Sequence, residues 1–405
     1  MKKKILQINE CLSGSTGSIA RQIGDMAISF GWDSWIAYSA FEKEIPCKSQ
    51  LIKIGNKIDY LLHALETRLL DNHGFSSKKA TNTLIKRIES LSPDVIHLHN
   101  IHGYYLNFKL LFDYLQQSSI PVIWTMHDCW PFTGHCALFN HVNCQKWQDG
   151  CYKCSETRDY PKAYFDRSKR NWKAKKDAFM KVKNLTIVTV SDWLASTVEK
   201  SFLGRRNIVV IKNGIDVERF VPSDSTSVKR KFGLVGKKVL IAVSVVWDYR
   251  KGLNDYMKLS KHLYERYVIV LVGLTEKQIS SLPPGIIGVK KTENVEQLVA
   301  LYNMADVVLS LSYGETFGMT IAEGMACGKP AIVYDNTALP ELITSDTGRI
   351  VKTGDFKSIL NALNDIEKID TMRLASNCRN RAERFFNKNE RFEQYIRLYD
   401  SAVGL

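Results

Sequence analysis

The chain has 405 residues, 45% of them apolar, and a formal net charge of +14 from 56 Lys and Arg against 42 Asp and Glu. Two domains are the natural expectation at this length, and the apolar share is that of a soluble globular protein. No apolar run approaches the ~18 residues of a membrane-spanning helix, and the opening Met1-Lys2-Lys3-Lys4-Ile5-Leu6-Gln7-Ile8 reads as a first strand, not a signal peptide. The expected location is therefore cytoplasmic, where the nine cysteines stay reduced or bind metal rather than pair.

In chain order, strand and helix patterns alternate, which predicts doubly wound α/β sheets. Predicted strands cover 4–9, 94–98, 122–126, 186–190 and 207–212, with helices over 17–30 and 192–201, the latter capped at Ser191 or Asp192. A second set begins with strand 238–245 and continues through helix 253–264, strand 267–272, helix 295–304 and strand 307–311. A short helix then carries Met319, Ile321, Ala322, Met325 and Ala326, and Ala331-Ile332-Val333-Tyr334 is the next strand. The polar stretch 222–236 is the expected linker, and a helical, charged stretch 371–405 ends the chain.

Several loops that follow strands carry chemistry. Ser13-Gly14-Ser15-Thr16-Gly17-Ser18 follows the first strand, and small residues at such a turn allow close approach of a phosphate or an acceptor. Any tight strand-to-helix turn also uses Gly and Ser. His97, His99 and His102 lie after another strand, as metal ligands or as strand-end polar groups, with an acceptor-side role expected for His99 and His102. The strand 122–126 ends in His127-Asp128, where a histidine can exchange hydrogen bonds with a sugar hydroxyl and Asp128 can orient the ring or cap the next turn. Arg250 and Lys251, beside Gly252, place two cations at the opening of a helix, which suits a pyrophosphate.

The run Gly314-Glu315-Thr316-Phe317-Gly318-Met319-Thr320-Ile321-Ala322-Glu323 is the most informative. Glu315 falls in the loop at a strand's carboxyl end and Glu323 one to two turns into the helix. Thr316, Phe317 and Gly318 sit at the helix start, where free backbone N–H groups and the dipole favour an anion. Two carboxylates bracketing an anion site suit a ligand with hydroxyls on both sides of a phosphate, namely a sugar nucleotide. The alternative is a pair of solvated surface glutamates.

Glu315 and Glu323, separated by seven residues and enclosing Phe317-Gly318, resemble the E-x7-E signature of family 4 glycosyltransferases, retaining enzymes of the two-domain GT-B fold. The resemblance extends over nearly the whole chain. It implies an α/β protein with two Rossmann-like, doubly wound parallel-sheet domains facing a central cleft. The expected domains are 1–215 on the acceptor side with a cysteine-rich insert at about 129–156, 216–375 for the nucleotide-sugar, and 376–405 as helices crossing back to the first. By the same resemblance Glu323 binds the donor ribose, and Glu315 the donor sugar. Phe317 and Gly318 offer amides near sugar and phosphate, Gly14 and Gly17 lie over the donor phosphates, and His127 lies against the donor sugar. Lys251 matches the family's phosphate-binding lysine. Val246 stands where the family's arginine would be, so Arg250 is an inferred substitute. Asn213-Gly214-Ile215-Asp216 resembles the turn at the domain junction, with Asn213 near the cleft. Thr337 to Glu341 resembles the loop closing the nucleotide site, where Glu341 can instead cap its helix.

The expected activity is transfer of a sugar from a nucleotide-diphospho-sugar to a saccharide or polyprenyl-diphosphate-linked saccharide in surface polysaccharide synthesis, such as capsule or exopolysaccharide, without a catalytic metal. Other readings are another GT-B enzyme, such as an epimerase or phosphorylase, and a zinc-dependent nucleic-acid-binding protein. Cys136, Cys144, Cys151 and Cys154 form C-x7-C-x6-C-x2-C, read as a structural zinc site, as scattered thiols or as an iron–sulfur ligand set, with His135 and His141 as spare ligands. The segment 158–183 interleaves ten Lys and Arg with aromatics. It fits a peripheral contact with an anionic membrane surface, a solvated helix face, or nucleic acid; no specific nucleic-acid partner is expected, since no recognised binding module accompanies the charge.

Overall fold

The computed structural model describes residues 2–263 and 265–404, so Met1, the end of the expected helix 253–264 at Tyr264, and Leu405 lie outside the described residues. The chain forms two compact units, Met1–Ile211 with Arg391–Leu405, and Lys212–Glu390.

The first unit holds a parallel sheet of β1 (Lys4–Ile8), β2 (Asp33–Ser39), β3 (Gln50–Ile54), β4 (Val95–Leu98), β5 (Val122–Met126), β6 (Leu185–Thr189) and β7 (Asn207–Val210), in the order β3-β2-β1-β4-β5-β6-β7. Residues on both faces of its central strands are buried, among them Ile5, Leu6, Ile8, Val95, Ile96 and Leu98. Helices cover both sides of such a sheet, so these strands read as continuous apolar runs. Strand order reverses at the neighbours β1 and β4, and the loops after such strands diverge and leave a crevice at their carboxyl ends. Glu10, Gly14 and His99 follow those two strands, and His127 follows β5.

The second unit repeats the plan with β8 (Lys238–Val243), β9 (Tyr267–Val272), β10 (Ile286–Val289), β11 (Val307–Ser310), β12 (Ala331–Tyr334) and β13 (Gly348–Val351), ordered β10-β9-β8-β11-β12-β13. Its switch point lies between β8 and β11. The loops leaving those two strands carry Arg250 with Lys251, and Glu315 with Phe317 and Gly318.

Three boundaries differ from the expectations. The chain passes between units at Ile211–Lys212, not within 222–236. That stretch is built into the second unit: Ser223 N–H donates to Asn303 Oδ1 at 2.8 Å and Lys229 pairs with Asp306 at 3.2 Å. The return to the first unit begins at Arg391, not at 376. The helix Thr371–Phe386 stays with the second unit, where Arg379 Nη1 donates to the carbonyls of Phe220 at 2.6 Å and Ala326 at 2.9 Å. Beyond Arg391 the helix Lys388–Ala402 buries Phe392, Tyr395, Ile396 and Tyr399 in the first unit's core. The first helix begins at Gly14 rather than Gly17, which places Gly17 in its opening turn.

Candidate functional site

In the second unit, the loop after β8 closes as a single 3-10 turn, Tyr249–Lys251. Asp248 caps it, its Oδ1 accepting from the N–H groups of Arg250 at 3.0 Å and Lys251 at 3.2 Å. Gly252 then takes φ +72°, and a Cβ there would meet the Leu311 carbonyl oxygen at 2.1 Å, so only glycine lets this loop approach the end of β11. Tyr313 N–H donates to the Arg250 carbonyl at 2.7 Å and locks the two loops together. Lys251 Nζ reaches Glu315 Oε1 at 2.5 Å, and Ser312 Oγ donates to the same oxygen at 3.0 Å. The Arg250 guanidinium lies on Asp248 Oδ2, with Nη2 at 2.7 Å.

The helix Met319–Ala326 begins at Gly318, whose φ of +104° suits glycine alone. A glycine offers no side-chain cap; within the first turn Ile321 N–H donates to the Gly318 carbonyl at 3.0 Å, and a helix start of this kind favours an anion. Phe317 is buried against Phe386, with ring centroids 5.7 Å apart. Glu315 is fixed through its backbone, N–H to Thr337 Oγ1 at 2.9 Å and carbonyl to the Ala338 N–H at 3.2 Å. Glu323 accepts from the Tyr302 hydroxyl at 2.9 Å, and burial pushes its carboxyl up to about 7. One phenol leaves most of this carboxylate's acceptor capacity unused, which suits a ligand with hydroxyl donors. Asn213 is buried near the start of this unit, where Gly214 packs against Lys388 and Ile215 N–H donates to the Phe386 carbonyl at 2.7 Å.

In the first unit, His127 is half-buried at the end of β5 and its Nε2 lies 3.1 Å from His99 Nδ1, whose own Nε2 meets Gln7 Oε1 at 3.0 Å. Burial lowers the pKa of His127 to about 4, so its imidazole is neutral and acts as a hydrogen-bond partner, not a cation. Asp128 caps the next turn by accepting from Trp130 N–H at 2.9 Å and pairs with His102 Nε2 at 2.7 Å. Burial opposes charge on His102, but that carboxylate outweighs it and the pKa is raised. His97 is a core residue, hydrogen-bonded to Tyr399 at 2.6 Å and Thr125 at 2.8 Å. Gly17 is needed for packing, because a Cβ would meet the Leu12 carbonyl carbon at 2.3 Å. Gly14 has open space and φ +65°.

Sequence reasoning missed Glu10, His73 and Tyr302. Glu10 lies just past β1 against Gly103, and burial pushes its carboxyl up to about 7. His73 Nε2 accepts from Gly103 N–H at 3.0 Å, and its ring stands edge-on to Trp130 at 5.6 Å. Glu10 was recoverable as a polar residue at a strand's carboxyl end. His73 sits in a loop without a motif, and nothing local marks it.

The four insert cysteines, Cys136, Cys144, Cys151 and Cys154, line one small cavity of about 20 Å³. The basic segment divides along its length. In the helix Ser168–Phe179, Trp172, Lys175 and Phe179 face inward, and Lys175 Nζ donates to the carbonyls of Trp130 at 2.7 Å and Thr133 at 3.0 Å. Tyr164 and Phe165, before that helix, are exposed.

Residues 224–385 match the family described as Glycosyl transferases group 1, and residues 55–219 match Glycosyltransferase Family 4. The chain is 23% identical over 364 residues, 86% of it and 87% of the relative, to WcaC of Escherichia coli strain K12, a glycosyl transferase named for a proposed role in colanic acid biosynthesis. It is 25% identical over 229 residues, 53% of it and 58% of the relative, to N-acetyl-alpha-D-glucosaminyl L-malate synthase of Bacillus anthracis. Among solved structures it is similar to sucrose-phosphate synthase of Thermosynechococcus elongatus (TM-score 0.72, 17% identity, 99% of each chain). It is also similar to Anabaena Alr3699/HepE in complex with UDP (TM-score 0.68, 15% identity, 98% of this chain and 100% of that one). These likenesses show the GT-B fold.

Proposed function

We propose that the chain, which matches those two glycosyltransferase family models over residues 224–385 and 55–219, moves a sugar, with retention, from a nucleotide-diphospho-sugar to a saccharide acceptor of a surface polysaccharide. The observation that carries this reading is the pairing of Lys251 with Glu315 in one loop cluster, a helix turn away from the half-buried Glu323. In the reaction the bond from the anomeric carbon to the diphosphate oxygen breaks, and the acceptor oxygen bonds to that carbon on the same face. The acceptor proton passes to the departing diphosphate oxygen, so no protein nucleophile is named. Lys251, Arg250 and the backbone N–H groups at Thr316–Gly318, just before the helix start, stabilise the negative charge that develops on the diphosphate. These groups supply the charge that a divalent ion would otherwise bring. Glu323 accepts the ribose hydroxyls, Glu315 the hydroxyls of the donor sugar, and neutral His127 hydrogen-bonds the sugar. Initial rates of nucleoside diphosphate release with and without acceptor test the assignment. Release that does not depend on acceptor, in a protein that binds the donor, contradicts it.

We further infer that the acceptor is presented at an anionic membrane surface. The helix Lys57–Leu70 exposes Ile58, Leu61, Leu62, Leu65 and Leu69 along one face. Arg68 of that helix lies over the Tyr164 ring at 4.9 Å, which joins the apolar face to the basic segment and to exposed Phe165. An apolar stripe flanked by cations fits an acyl–headgroup boundary. The same helix carries Tyr60, edge-on to Tyr104 at 5.3 Å, and Tyr104 stands against His73 at 5.3 Å. That aromatic path continues from His73 to His102 at 5.8 Å and suits a lipid-linked saccharide. Among the described residues no helix is long and apolar enough to cross a membrane.

A further inference from the structure

We propose that Cys136, Cys144, Cys151 and Cys154 bind one structural zinc ion that staples the loop after β5. The loop 129–156 has almost no regular structure, only the 3-10 turns Trp130–Phe132 and Asn140–Val142, and none of its cysteines is disulfide-bonded. Such a segment has little backbone ladder to hold it, and a cross-link of another kind is the physical expectation. All four thiols line the same cavity of about 20 Å³, which is room for a single small ion or water.

The surroundings are those of a zinc–thiolate centre. Phe139 and Trp147 stack at 4.9 Å and Phe132 stands edge-on to Trp147 at 5.4 Å, forming an apolar shell on one side. Gly134 N–H donates to Cys151 Sγ at 3.1 Å, the backbone donor that a metal-bound thiolate recruits. A side chain at 134 is excluded, because a Cβ would meet the Ser168 carbonyl oxygen at 2.2 Å and Cys151 Cβ at 2.7 Å. Soft thiolates select zinc over hard cations. Zn–S bonds of about 2.3 Å in a tetrahedron place the sulfurs about 3.8 Å apart. The thiols are not yet gathered that closely: among the described residues the set of three ligand atoms within 4.8 Å of one another is His141, Glu156 and Asp159. That trio already has an internal partner, the 2.7 Å contact of His141 Nε2 with Glu156 Oε2, and it offers a hard oxygen-rich site.

His135 lines the same cavity, its Nδ1 bound to Asp71 Oδ1 at 2.7 Å, and is the competing nitrogen ligand. Zinc here does no sugar chemistry. It fixes Trp130, which lies against His102 at 5.2 Å and takes Lys175 over its ring at 3.4 Å, and so fixes the acceptor side.

The experiment measures metal content in the full chain purified from zinc-supplemented cells without chelator, and needs no activity. The expected result is close to one zinc per chain, with Cys144→Ser and Cys151→Ser each retaining less than half and His135→Ala retaining it. Should the variants not fold, wild-type protein stripped and refilled with Co²⁺ is expected to show the sulfur-to-metal charge-transfer and tetrahedral ligand-field bands of an all-thiolate site. Zinc below a tenth per chain overturns the proposal, as does a refilled protein without those bands. Retention by Cys144→Ser with loss by His135→Ala overturns the four-sulfur assignment.

Discussion

Donor binding is expected to be coupled to deprotonation of Glu323. Its carboxyl is raised from 4.5 to about 7 by burial, with only the Tyr302 hydroxyl at 2.9 Å favouring the ionised form. A raised carboxyl pKa means that the folded state holds this proton more tightly than the unfolded chain. The resulting stability is full below about 4.5 and lost as pH rises through about 7, on the order of 3 kcal/mol in all. Ribose hydroxyls donating to the carboxylate reverse that preference, so the ligand expels the proton. With the free group titrating near 7, the ionised fraction falls from about 0.9 at pH 8 to about 0.03 at pH 5.5. The donor Kd is therefore expected to weaken roughly 30-fold over that range, about 2 kcal/mol. Isothermal titration with an intact nucleotide-diphospho-sugar, whose phosphates do not titrate in this window, in buffers of different ionisation enthalpy measures both the Kd and the released proton. Glu323→Gln is expected to bind more weakly at pH 8 and to lose the pH dependence. Glu10, which also titrates near 7, stays in place in that variant and so serves as the internal control. A Kd that is flat in the wild type, or equally steep in Glu323→Gln, refutes the assignment of Glu323 to the ribose.

Lys251→Ala removes a phosphate cation and leaves Glu315 without its ion-pair partner; kcat/KM is expected to fall by about 10²–10³, and steady-state kinetics showing less than a threefold change would contradict that role. Gly318→Ala places a Cβ at φ +104° within 2.9 Å of Leu342 Cδ1, so chemical denaturation should show a loss of about 1–3 kcal/mol. The double variant Leu61→Asp, Leu65→Asp is expected to lose sedimentation with phosphatidylglycerol vesicles while keeping its thermal midpoint, because both side chains are exposed; unchanged sedimentation would remove the membrane from the account.

Much of the local geometry of the second unit's candidate site was legible, because its residues lie close together in the sequence. Glu315, Phe317, Gly318 and Glu323 form one strand–loop–helix unit whose spacing fixes where each side chain lies. The Lys251–Glu315 contact joins residues 64 positions apart, and no local pattern records such a distance. The first unit was harder. Glu10, His73, His102 and Asp128 come from different loops, and only the sheet order that sets β1 beside β4 gathers those loops. The strands β2, β3, β10 and β13 were not foreseen; partly exposed strands such as Gln50–Ile54 and Gly348–Val351 carry mixed polar and apolar residues, whereas β2 is largely buried but intersperses Asp33 and Ser34 with Trp35 and Ile36. The expected linker at 222–236 failed for a related reason. Polar composition marks solvent exposure, and the helix Thr226–Lys231 is polar because it lies on the surface of the second unit, not between units. In the basic segment, the reading of a solvated helix face that covers the core describes Ser168–Phe179, where Trp172, Lys175 and Phe179 face inward.

The most direct measurement is a thermal-shift screen of the full chain against UDP-, GDP-, ADP- and dTDP-sugars, with and without EDTA, in wild type and Glu323→Gln. The account predicts that one nucleotide class raises the wild-type midpoint, that EDTA leaves the size of that rise unchanged, and that Glu323→Gln abolishes it. No rise with any sugar nucleotide, or a rise that EDTA removes and the substitution leaves intact, would contradict it.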